Sequence, residues 1–148
     1  MKNTHDRSLL RDLHSSLIDI VGALNRPQGD QAIIDAAGIH LDRALFPLLV
    51  LIDRRGPIGV VDLADRVGRD YTTVSRQVAR LEQLGLIERR AGTDRRVREA
   101  EVTAVGKAMN DAIDQGRERL AAQALADWTD DDLARFAPLL RRFADALT

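Results

Sequence analysis

The chain has no cysteine among its 148 residues. That absence excludes disulfides, thiolate zinc sites, cysteine nucleophiles and thiol-based redox sensing. Histidine is also scarce: His5, His14 and His40 are too few and too scattered for a metal site. Long hydrophobic runs are missing. The longest, Leu45–Ile52, contains a proline and is far too short to span a bilayer. Met1–Leu24 carries charges throughout and lacks the unbroken apolar core of a signal peptide. The expected location is therefore the cytoplasm, with no membrane partner. There is no phosphate-binding glycine loop, no paired-histidine motif and no recognisable Ser-His-Asp context, so neither an enzyme nor a cofactor is expected.

What is present is charge, unevenly placed. The formal net charge is −1. From Arg54 to Arg98, however, 11 arginines and no lysine face 6 acidic residues, a local net of +5. The remainder holds 11 basic and 17 acidic residues, a net of −6. A basic middle third between acidic ends is the electrostatic footprint of a nucleic-acid-binding face. The plainer alternative is that these charges only solvate exposed helix faces.

Hydrophobic spacing predicts the elements. Asp6–Asn25 reads as an amphipathic helix, with Leu10, Leu13, Leu17, Ile20 or Val21, and Leu24 at helical intervals. Pro27, Gly29 and Asp30 break it, and a shorter helical piece, Gln31–Ala37, precedes Gly38. Leu41–Arg54 is the most apolar helix, aiming Leu45, Leu48, Leu49 and Ile52 at a core. Its Pro47 marks either a first turn or a kink. Gly56-Pro57 is a breaker and Ile58 a lone strand residue. Val60–Val67 is a short helix, Gly68-Arg69-Asp70 a tight turn with Asp70 as N-cap, and Tyr71–Leu84 a second helix stopped by Gly85. Two strands, 86–90 and 97–102, flank a polar, arginine-rich loop. Thr103–Asp127 reads as a long helix with Val105, Met109, Ile113, Gly116 and Leu120 along one side. Thr129 and Asp132 form a capping box for a last helix, Asp130–Leu147.

Helix, three-residue turn, helix and arginine-tipped hairpin make a winged helix-turn-helix. The fold class is mainly α with a small β-hairpin wing, plus a helical stalk from the N- and C-terminal helices. The second helix must present a polar outer face to a major groove about 12 Å wide. Thr72, Thr73, Ser75, Arg76, Gln77 and Arg80 supply it. Hydroxyls suit phosphates and either base edge, glutamine matches adenine N6 and N7, and arginine matches guanine O6 and N7. Arg80 could instead pair with Glu82 or Asp70 on the surface. Arg90 and the tip residues Asp94, Arg95 and Arg96 complete the candidate DNA-binding set, the tip arginines being suited to a minor groove. Asp94 is expected to hold a wing arginine by a charge-assisted pair. The competing reading of the same shape is a protein-interaction module that binds no nucleic acid.

At these residues the sequence resembles the MarR family of bacterial regulators. The stretches that carry the resemblance are Val61-Asp62-Leu63-Ala64, Thr73-Val74-Ser75-Arg76, Leu81 to Arg89, Asp94-Arg95-Arg96 and Val102-Thr103-Ala104-Val105-Gly106. The wing triplet, spaced after Leu84-Gly85-Leu86-Ile87, is the most specific. The resemblance covers nearly the whole chain. It implies a single unit, 1–148, in which 41–102 binds DNA and helices within 6–37 and 103–147 build a homodimer stalk. It further implies repression of a pseudo-palindromic operator, with release by a small aromatic or anionic effector. The apolar stripes on three helices outside 41–102 support a dimer independently, because the short winged segment cannot cover them all. The segment Arg26–Gly38 departs from the family pattern in being longer and more polar. His14, His40 and Arg43 are effector-site candidates, without diagnostic spacing.

Overall fold

The computed structural model describes residues 4–148; residues 1–3, at the start of the expected single unit and of the charged N-terminal stretch, lie outside the described residues. In chain order the elements are α1 (Arg7–Leu24), α2 (Pro27–Ala37), α3 (Phe46–Arg55), β1 (Ile58–Gly59), α4 (Val60–Val67), α5 (Tyr71–Gln83), β2 (Ile87–Ala91), β3 (Arg98–Val102), α6 (Ala104–Ala124) and α7 (Asp130–Leu147). The strands form one antiparallel sheet in the order β1-β3-β2.

Two helix starts differ from the sequence expectation, both because of proline. Helix α2 begins at Pro27, four residues before the expected Gln31. Proline ends α1, yet it suits the first position of a new helix, where no N–H bond is needed. Asp30 then falls in the first turn, where a carboxylate opposes the positive helix end. Conversely, α3 starts at Phe46 and not at Leu41. Pro47 occupies its first turn, and a proline deeper in a helix would clash with the carbonyl four residues back. Residues 42–45 form a separate turn instead: the Ala44 N–H donates to Asp42 Oδ1 at 2.9 Å, and the Leu45 N–H to the Asp42 carbonyl at 2.9 Å.

The core gathers around α3. Leu48, Leu49 and Ile52 are fully buried together with Leu63 of α4, Val74, Val78 and Leu81 of α5, Ile87 of β2 and Ile113 of α6. Ile58 pairs with Ala100, so the two-residue β1 seals one edge of the sheet. Asn110 is the one buried polar side chain among the described residues. Its amide donates to the Leu49 and Gly106 carbonyls at 3.4 and 3.2 Å, stitching α6 to α3.

Helix α6 buries most of the expected side, with Ile113 and Gly116 inside and Met109 and Leu120 half-buried, but its first turn departs from it. Gly106, Asn110, Ile113 and Gly116 are buried, whereas Val105 is 62% exposed. The cause lies at its start. Thr103 caps the helix by accepting the Gly106 N–H at 3.1 Å, donates its hydroxyl to the Gly85 carbonyl at 2.6 Å, and donates its own N–H to the Leu86 carbonyl at 3.0 Å. This corner presses residue 106 onto the Leu86 backbone, where only a glycine fits. Ten residues on, Gly116 lets α6 cross α2 closely: a Cβ there would lie 2.9 Å from the Ala37 nitrogen. The helix ends at Ala124, three residues before the expected Asp127.

The expected capping box forms at α7: the Asp132 N–H donates to Thr129 Oγ1 at 3.1 Å and the Thr129 N–H to Asp132 Oδ2 at 3.2 Å. Pro138 sits inside this helix and leaves the Ala134 carbonyl without its usual i+4 donor. Neither α1 nor α7 buries a single residue within the chain. Leu9, Leu13 and Leu24 of α1 and Leu139, Leu140 and Leu147 of α7 all stand exposed. Among the described residues, no helix is long and apolar enough to cross a membrane.

Candidate nucleic-acid interface

The candidate interface is built on the α4–α5 turn. Gly68 adopts φ 67°, a left-handed conformation that ends α4 without steric cost. Asp70 then caps α5, as its position after the turn predicts. Its carboxylate accepts the Thr73 N–H at 2.9 Å and the Thr73 hydroxyl at 2.7 Å. The Thr73 hydroxyl, then its backbone N–H, and more weakly the Arg76 charge, hold the Asp70 pKa below its ordinary value of 3.8. As pH falls, the unfolded chain is therefore protonated first at this group. The contribution of Asp70 to stability is complete above that ordinary value and disappears as pH drops through the lower folded one. Asp70→Ala is expected to lower the melting temperature at pH 7, with the gap to wild type closing in strong acid. Thermal melts at pH 7 and in the acid range check this.

Inward-facing Val74, Val78 and Leu81 fix which side of α5 is free. Thr72, Arg76 and Arg80 are exposed on that side, and Ser75 is half-buried at its margin. Thr73 is committed to the cap. Arg80 contacts Gln83 at 3.4 Å and neither Glu82 nor Asp70, the alternative surface partners. Gln77 departs most from expectation: it is half-buried on the flank, and its Oε1 accepts from Arg69 Nη1 at 2.9 Å. Two-pronged pairing with adenine needs both the oxygen and the nitrogen of the amide, and the oxygen is already engaged.

In the wing, the Gly92 N–H donates to the Val97 carbonyl at 3.1 Å and the Val97 N–H to the Asp94 carbonyl at 3.0 Å, closing the loop. Asp94 does not hold an arginine side chain. Its Oδ1 accepts the Arg96 backbone N–H at 3.0 Å, because a donor two residues away is reached with less ordering than a long guanidinium. The effect on the tip is still organising, and Arg95 and Arg96 stand exposed beyond it. Arg90 pairs with Glu101 across the hairpin at 3.0 Å. Successive strand residues face opposite sides, so Arg90 points away from the side that Arg89 faces.

That side also holds residues outside the sequence-predicted DNA-binding set. A cavity of about 770 Å³ between α4 and the wing is lined by Tyr71, Arg89, Arg96 and Arg98, with Asp62 and Asp65 opposite. Arg89 Nε is buried there without a hydrogen-bond partner. The available signal was strand alternation: Arg89 pairs in register with Ala100 and Ala91 with Arg98, which places both arginines on the inner face. Of the effector candidates, Arg43 lines a cavity of about 790 Å³ with Asn25, Asp30 and Arg69. His40 lines one of about 600 Å³ beside Arg76, Gln77 and Arg80. His14 is simply exposed on α1.

A helix-turn-helix whose second helix lies beside an arginine-tipped hairpin defines a winged-helix protein. A family model described as HVO_A0114 matches residues 41–100, the span from the 42–45 turn through most of β3. An uncharacterized HTH-type transcriptional regulator of Bacillus subtilis, YxaD, is 35% identical over 108 residues, covering 72% of this chain and 76% of that protein. In fold, the chain is similar to a MarR family protein from Bacillus stearothermophilus, with a TM-score of 0.76 at 20% identity over 97% of this chain and 99% of that one. It is also similar to a MarR family regulator from Listeria monocytogenes complexed with 26mer DNA, with a TM-score of 0.63 at 23% identity over 88% and 87% of the two chains. The chain belongs to the HTH-type transcriptional regulators, which are regulators and not enzymes, and its fold is that of the MarR proteins.

Proposed function

We propose that the protein is a homodimeric repressor, acting in the cytoplasm, that grips a pseudo-palindromic operator and releases it when a small aromatic or anionic effector binds. The observation that carries this reading is the placement of the wing against the N-terminal end of α5, so that Thr72 and Arg76 and the tip arginines can serve one duplex. In this reading α5 lies in the major groove, with Thr72, Ser75, Arg76 and Arg80 facing bases and phosphates. Arg95 and Arg96 enter the adjacent minor groove, whose negative potential attracts guanidinium groups. Tyr71, Arg89 and Arg98 line the ground between them. Residues 41–102 form the DNA-binding part, and 6–37 with 103–147 the dimer. Twofold symmetry then sets the two copies of α5 about 34 Å apart, or a multiple of that, to match successive turns of DNA. The complex of the Listeria relative with 26mer DNA supports DNA as the partner. The cavity beside Arg43 and Arg69 is the effector site this reading favours, since it joins cationic groups to the base of the stalk.

Titration of a promoter fragment from the protein's own genomic neighbourhood, at two salt concentrations, tests the reading. Tight, steeply salt-dependent binding that outcompetes unrelated DNA is expected; no binding even at low salt would refute it. Arg95→Ala should weaken binding on every fragment and flatten the log–log salt slope by about 0.9, the signature of one lost phosphate-type contact. Arg76→Ala should instead cost roughly 1–3 kcal/mol concentrated at one base pair.

A further inference from the structure

The geometry points to Arg69 and Gln77 as a clamp that sets the roll of α5 about its axis, with Gln77 acting as a positioning residue and not as a reader of bases. The inference rests on the DNA-binding reading above and deepens it.

Arg69 lies in the turn between α4 and α5, outside the recognition helix. One of its terminal nitrogens, Nη1, donates to two oxygens at once: Gln77 Oε1 at 2.9 Å and the Ala44 carbonyl at 2.7 Å. Both bonds are partly buried. Arg69 makes no ion pair among the described residues, so these neutral oxygens are what hold it. A guanidinium can only donate. The amide of Gln77 is therefore oriented by chemistry: its oxygen must face Arg69, and its nitrogen must face away. The clamp spans three segments, tying the middle of α5 through the turn to residues 42–45 ahead of α3.

The position matters for leverage. The ends of α5 are fastened elsewhere, by the Asp70 cap at one end and by Gly85 beneath Thr103 at the other. Val74, Val78 and Leu81 supply apolar contact, which is non-directional and tolerates a few degrees of rotation. A directional bond at the middle of the helix removes that freedom. It fixes where Arg76, the residue before Gln77, points its side chain.

A reader and a positioner give opposite signatures. Binding should be measured for Arg69→Met, Gln77→Met and the double variant on the operator and on its single-base-pair variants. For a clamp, each single change weakens binding on the order of tenfold, the equivalent of one charge-assisted hydrogen bond. The loss is spread across all sequences, the double variant is no worse than Arg69→Met alone, and Gln77→Glu recovers most of what Gln77→Met loses. A loss confined to one base pair, additive with Arg69→Met and worsened by Gln77→Glu, would overturn the clamp. Should Arg69→Met fold poorly, the Gln77→Met profile decides alone, since uniform loss supports the clamp and single-position loss rejects it. Should the wild-type protein bind no fragment above unrelated DNA, the parent reading fails, and thermal melts of the same cycle judge the clamp separately. Coupled melting shifts support it and additive shifts refute it.

Discussion

Leu13→Asp on α1 combined with Leu140→Asp on α7 is expected to yield a monomer that binds operator at least about 100-fold more weakly than wild type. Both side chains stand half exposed in the single chain, Leu13 at 52% and Leu140 at 46%, on helices that bury nothing within it. Full burial of a leucine is worth roughly 1.5–3 kcal/mol, and in a twofold dimer each substitution counts twice. A carboxylate at such a position also meets a desolvation cost that a leucine does not. The loss of DNA affinity follows because two half-sites on one rigid body are bound in concert, and a monomer forfeits that advantage. Sedimentation equilibrium and operator titration on the same samples check both parts. A variant that stays dimeric and binds normally would show that these faces are covered by something other than a second copy.

Gly106→Val is expected to destabilise the fold by about 3 kcal/mol or more, lowering the melting temperature by on the order of 10 °C. A Cβ at this position would overlap the Leu86 carbonyl oxygen and lie 2.7 Å from Val102 Cγ2. The first of these obstacles is backbone and cannot rotate away. Moving it would break the bond that the Leu86 carbonyl receives from the Thr103 N–H, and would strain the neighbouring Thr103–Gly85 bond. Gly22→Ala provides the contrast. Nothing lies within 4 Å of a Cβ there, so alanine should stabilise α1 by roughly 0.5–1 kcal/mol through its higher helix propensity. Denaturant melts of the two variants should move in opposite directions. Equal melting of Gly106→Val and wild type would mean that α6 does not press on the Leu86 backbone as described.

The elements that were legible in the sequence are those whose signals are local. The bounds of α4 and α7, the Asp70 cap and the Thr129–Asp132 box depend on residues within one or two turns of each other. The inward faces of α3 and α5 were legible too; what could not be read was the partner that a single side chain finds across the fold. Val105 seemed to extend an apolar stripe, but the docking of Gly106 on Leu86, twenty residues earlier in the chain, turned it outward. Gln77 seemed a base reader by type, but its oxygen is taken by an arginine eight residues before it that also holds Ala44. Asp94 was assigned the right economy and the wrong partner, since a backbone N–H two residues on outcompeted a flexible guanidinium. Arg89 and Arg98 show themselves only through strand alternation, which sets both on the inner face with Ala100.

The corner at Thr103 has a mechanical meaning. Its three hydrogen bonds weld the end of the wing, the chain just past α5 and the first turn of α6 into one stiff elbow, like the bend of a crank. The arm of that crank is α6, whose 21 residues reach about 30 Å at 1.5 Å per residue. Over such a length a tilt of about 5° displaces the far end by roughly 3 Å, close to one base-pair step. In the proposed dimer, small changes in how α6 meets α7 around residues 125–129 would thus retune the spacing of the two DNA-reading heads. Operator preference can then drift through substitutions that never come near a nucleotide.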